Sequence, residues 1–264
     1  SMKIKLNVQS LDLDGDYEAA PAKEGTPLAI LVRAIAKELE QHPDLQAVTT
    51  LTNPDTHPDI RFPDQTGEVV VDVVLCDDYH DIPMILNSDM EAPLGVFATS
   101  SGAFDHDSWY ADKFRVVVAV NETVFRGFFK DQRQLEIDPQ SDIHDHEYLE
   151  AYLNTLPHEL AHAVEFISHG GGLTPDQVDI DFEDGLLDCD MEDICTGRGL
   201  RPDMPASLEG DEAVDLMEER VEAQGREWLA WAIRRVPRQL VDACLKAYAP
   251  KPKRCTHEDT GPGF

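Results

Sequence analysis

Apolar and polar residues alternate along KIKLNVQSL (3–11), the period of a half-buried strand. A helix then opens at Thr26-Pro27, with Thr placed to cap it and Pro at its first position. Its apolar stripe is Leu28, Leu31, Val32, Ile35 and Leu39. The β-branched run VVVDVVLC (69–76) predicts a second strand. RVVVAV (115–120) predicts another, after a polar loop holding Gly102, His106 and Trp109. From Tyr148 onward the pattern becomes helical. A long acidic loop with Gly185 and Gly197 follows, and a last helix starts near Asp211 and runs toward Arg235, before Pro237. Strands fall mostly in the first half and helices in the second, so the expected class is α+β. We expect an N-terminal α+β region over 1–100, as a lobe of its own or part of the same sheet. A catalytic region follows over 101–248, and a loose tail over 249–264.

Charge narrows the function classes. The 264 residues carry 22 Lys and Arg against 52 Asp and Glu, a formal charge of −30. Phosphate contacts need basic side chains, so neither a nucleic acid nor an anionic membrane is an expected partner. The acids are unevenly spread: residues 134–197 hold 17 of them and no Lys or Arg. Residues 226–254 reverse this, with 8 basic and 2 acidic residues. No apolar run is long enough for a membrane helix, and the start turns acidic too soon for a signal peptide. Five cysteines without an export signal predict reduced thiols and a cytoplasmic location.

The candidate chemistry lies in TLPHELAHAVEFISHGGG (155–172), which contains His158-Glu159-x-x-His162. On a helix, residues four apart share a face, so both imidazoles can reach one ion. A divalent ion lowers the pKa of a water and polarises a carbonyl, and Glu159 is placed as the general base. Composition alone yields about 0.03 such motifs in a chain of this length with 10 His. Coincidence is therefore a poor account. The apolar helical flanks and the run Gly170–Gly172, a helix end, add to it.

The string HELAHAVEF resembles the active-site helix of the zincin metallopeptidases. The resemblance implies a zincin-like domain with a mixed sheet packed on this helix, and Zn2+ held by His158 and His162 with Glu159 as base. A catalytic zinc takes three protein ligands. In the metzincin pattern the positions required to be Gly and His hold Glu165 and Ser168, so that pattern fails. His169 lies one place late, about 10.5 Å along a continuing helix from His162. It stays an alternative third ligand or supporting residue, with a place lining the cleft or at the helix end expected first. The gluzincin pattern implies a Glu from a later helix with a second acid one turn on. On the helical wheel of 211–235, Glu218 falls about 40° from the centre of the apolar face and Glu222 about 80°. Glu218 is the expected third ligand and Glu222 the alternative or the residue that orients a ligating His. The string EERVEAQ also resembles the third-ligand helix of regulatory peptidases that cleave phage repressors, an alignment that favours Glu222. Acids of the 173–195 loop stay open as well. Gly225 would let the two helices approach closely.

Other features are weaker. Asp179-x-Asp181-x-Glu183-Asp184-Gly185 misplaces the Gly of a calcium loop. Asp12-x-Asp14-Gly15-Asp16 reads as a turn. Cys189 and Cys195 are too far apart for the usual zinc pair. His106, Tyr110, His144 and His146 are candidates to stabilise an oxyanion. RVVVAVNE is expected, from the resemblance, to run beside the cleft and pair with an extended peptide. The expected function is a zinc metallopeptidase acting on a protein or peptide, with the acidic surface favouring cationic substrates. Two readings compete with it. One is a non-enzymatic acidic protein that mimics DNA toward a basic partner, and the other a zinc-stabilised interaction scaffold.

Overall fold

Strand β1 (Met2–Ser10) lies along β2 (Gly67–Cys76) in parallel register, Met2 opposite Gly67 and Ser10 opposite Leu75. In this computed structural model residues 2–10, 25–49, 67–77, 95–99, 114–120, 150, 152–171, 196–199 and 201–248 are described. β4 (Phe114–Ala119) runs parallel to the other side of β2, and β3 (Gly95–Thr99) pairs antiparallel with β4. The sheet order is therefore β1-β2-β4-β3, a mixed sheet with one antiparallel edge. With its helices it makes an α+β arrangement.

The helices follow from local sequence. Helix α1 (Pro27–Glu40) has Pro at its start, and the Ala29 amide donates to the Thr26 hydroxyl at 3.2 Å. Its stripe, Leu28 to Leu39, is buried with Ile4, Leu6, Val71 and Val73 of the sheet in one core. A short α2 (Pro43–Gln46) is capped by His42, whose Nδ1 accepts from the Asp44 amide at 3.0 Å. Helix α3 (Thr155–Phe166) carries the HExxH motif and runs on into a π turn (Ile167–Gly171). Gly170 and Gly171 of the Gly run fall in that widened turn. Helix α4 (Gly210–Ile233) spans the expected last helix. A further helix, α5 (Arg238–Tyr248), follows Pro237; the sequence reading did not separate it from the basic stretch. Its buried face is Val241, Cys244, Leu245 and Tyr248.

Strand 115–120 is not the edge strand: it sits between β2 and β3, and β3 takes the outer place among the described residues. The strand is buried on both faces from Val116 to Ala119, as an inner strand must be. Among the described residues no helix is long and apolar enough to cross a membrane. His106, Tyr110, His144, His146, Cys189, Cys195, the turn at 12–16, the acidic loop 173–195 and the tail 249–264 lie outside the described residues.

Candidate metal centre

The motif helix is held by its apolar side. Leu156, Leu160, Ala161, Ala163 and Phe166 are buried, and the Phe166 ring meets Phe114 of β4 at 6.2 Å. Just before the helix, the Tyr152 hydroxyl donates to the Ala119 carbonyl at 2.6 Å. These contacts fix α3 on the sheet and leave His158, Glu159 and His162 half-buried at its flank.

Helix α4 packs on that flank through Met217, Val221, Gly225 and Trp228. Gly225 stands at a close approach of the two helices. A Cβ there would lie 3.0 Å from the His158 amide nitrogen and 3.1 Å from its Cα. Only the absence of a side chain allows this approach. One end of the seam is thereby brought to backbone contact, and the acids one and two turns earlier on α4 reach the histidines.

Glu218 then spans both rings. Its Oε2 is 3.4 Å from His158 Nε2 and its Oε1 is 3.2 Å from His162 Nε2. The two imidazoles stand 5.0 Å apart, centroid to centroid, nearly edge to face. One ligand atom from each of His158, His162 and Glu218 falls within 4.8 Å of the others. Tetrahedral zinc with bonds near 2.0–2.1 Å places its ligand atoms about 3.3 Å apart. The two His–Glu218 separations are close to that edge but use different oxygens of Glu218, so the donor set suits such an ion in chemistry and brings its atoms near the spacing one requires.

Glu222, one turn on, is on the other nitrogen of His158: Nδ1 donates to Oε2 at 2.9 Å. A His that donates through Nδ1 keeps Nε2 for a metal, so this contact would select the tautomer a metal requires. Glu222 is itself held by Arg226, whose Nε donates at 2.8 Å, and by Asn154, whose Nδ2 donates at 3.4 Å. Burial opposes its charge, but Arg226 and His158 outweigh that and draw the carboxyl below its ordinary value. Burial lowers the His162 pKa, with Glu218 acting in the opposite sense. The neutral ring is the form that binds metal.

Glu159 lies beside the edge strand, since a Cβ on Gly95 of β3 would stand 3.2 Å from its Cγ. His169 is not in this group. It is buried in the π turn, with Nε2 3.1 Å from Arg201 Nη1 and 3.7 Å from the Glu165 carboxylate. Of the proposed site residues, the fold brings together His158, His162, Glu218 and Glu222 and places His169 elsewhere. Arg226 and Asn154 were not anticipated. Arg226 had a signal, being four residues past Glu222.

Comparison with family models, curated proteins and solved structures finds no match for this chain.

Proposed function

We propose that the chain is a zinc-dependent metallopeptidase of gluzincin type. The observation that carries this reading is Glu218 within 3.4 Å of His158 Nε2 and 3.2 Å of His162 Nε2, with Glu222 on His158 Nδ1. His158, His162 and Glu218 would hold the ion, which supplies a water of lowered pKa and polarises the substrate carbonyl. Glu159 takes the proton of the attacking water and passes it to the leaving amine. Glu222, kept charged by Arg226, fixes the ring of His158. An extended peptide adding to the outer side of β3, the edge strand among the described residues, would run past Glu159. That role belongs to 95–99 in place of 115–120. The net charge of −30 favours cationic peptides.

The test is metal content with peptide hydrolysis on the same preparations. About one zinc per chain is expected, lost in His162→Ala and kept in Glu159→Gln. Hydrolysis by Glu159→Gln should fall by roughly 10²–10⁴-fold. No zinc in the wild type, even after refilling, refutes the reading. Zinc without cleavage of any peptide in a broad library would favour an interaction scaffold.

A further inference from the structure

Glu165 occupies the position where the metzincin pattern needs Gly, His169 lies one place past the one where it needs His, and the metal centre uses neither. Both belong to a second charged cluster. The Glu165 carboxylate accepts from Arg201 Nη1, and at 3.1 Å from Arg220 Nη2. Asp203 Oδ1 accepts from Arg201 Nε at 3.0 Å, and its Oδ2 from Arg201 Nη2 at 3.1 Å and Arg220 Nη1 at 2.6 Å. Two acids and two guanidiniums thus close a neutral ring, with His169 on Arg201. Arg201 is buried, delivered by a turn in which Gly197 and Gly199 adopt φ of 74° and 79°. Burial disfavours charge on Glu165, yet His169, Arg201 and Arg220 hold it at about 2.

The position of Arg220 gives this cluster a consequence. It is two residues past Glu218, so it lies about 200° round α4. Glu165 is three residues past His162, on α3. The cluster therefore tethers α4 to α3 by the flank opposite the one that carries Glu218. A helix with side chains has a radius of about 5–6 Å, so a 20° roll of α4 displaces the Glu218 carboxylate by about 2 Å. Metal sites tolerate roughly 0.2 Å. Gly225 offers a close contact but no side chain to stop such a roll. Against an apolar replacement of the whole cluster the ion pairs contribute little net stability, since desolvation offsets attraction, and Arg220 Nε is buried without a hydrogen-bond partner. What the cluster adds is geometry.

We propose that Glu165, Arg201, Arg220 and Asp203 are positioning residues that set the rotation of α4 and so place Glu218 against His158 and His162, an inference that rests on the metal reading above. The experiment is a double-mutant cycle on zinc affinity, measured by competition with a chromophoric chelator on the full chain. Glu165→Gln should weaken zinc binding tenfold or more and alter the visible spectrum of the cobalt-substituted protein. In a Glu218→Ala background, Glu165→Gln should cause no further loss, because the ligand it positions is gone. Arg220→Met runs the same cycle if Glu165→Gln does not fold, as judged by circular dichroism of the metal-free protein. Wild-type affinity in the variant, or an equal loss in both backgrounds, overturns the positioning role and leaves the metal site standing. A wild type that binds no zinc overturns both, and shows this before any variant is compared.

Discussion

Gly225→Ala tests the packing that brings the acids of α4 to the histidines, because two effects of known size oppose each other. Within a helix, Ala is favoured over Gly by roughly 0.8–1.0 kcal/mol. Against this, the new methyl would meet the His158 amide nitrogen at 3.0 Å, its Cα at 3.1 Å and the Asn154 Oδ1 at 3.2 Å. Two of the three are backbone atoms of α3 and cannot turn aside. The helices must separate by a few tenths of an ångström, and overpacking of this kind costs about 1–3 kcal/mol. Overpacking wins, and we expect a net loss of about 1 kcal/mol in urea unfolding of the metal-free protein. The same separation exceeds the tolerance of a zinc site, so zinc affinity should drop by about tenfold or more. A variant more stable than wild type by the full helix-propensity difference, with unchanged zinc affinity, would refute the close approach.

Three further outcomes are expected. Glu222→Ala removes the partner of His158 Nδ1 and should weaken zinc binding about 10–100-fold by chelator competition, while zinc still binds. Glu165 sits at about 2 when folded against 4.5 as its ordinary value, so its stabilisation is present above pH 4.5 and is lost as pH falls toward 2. Acid unfolding curves of Glu165→Gln should be flatter over that window by up to about 3 kcal/mol, and an unchanged acid limb would contradict the buried ion cluster. Gly197→Ala combines a φ of +74° with a Cβ 2.5 Å from the His169 ring, and should lower the melting temperature with a cost of about 2 kcal/mol or more; a neutral result would show that the turn is placed differently.

Local pattern made part of this molecule readable. The stripe of α1, the spacing of His158 and His162, and the wheel position of Glu218 all depend on neighbours within a turn or two, and the 3.6-residue period ranks them. Gly225 could be read because it sits in the middle of an apolar helix face. What escaped depends on distant partners. Nothing within 115–120 says that 95–99 will pair outside it, because strand order is set across the sheet. α5 is short, and its apolar positions are diluted by the basic residues around it. The clamp joins Glu165 to Arg201 and Arg220, 36 and 55 residues away, and no local spacing foretells that.

The last helix also reaches back to the first. The Leu28 amide, exposed by the start of α1, donates to the Tyr248 hydroxyl at 3.3 Å, a partner 220 residues later. From α4, Trp228 Nε1 donates to Asp44 Oδ2 at 2.8 Å, in the first turn of α2. During synthesis, then, α1 leaves the ribosome with an amide that only water meets and with the flank that α5 will cover still open. Its completion waits for α5 to emerge, many seconds later at about 5–20 residues per second. The two ends of the described chain are therefore finished in a single step.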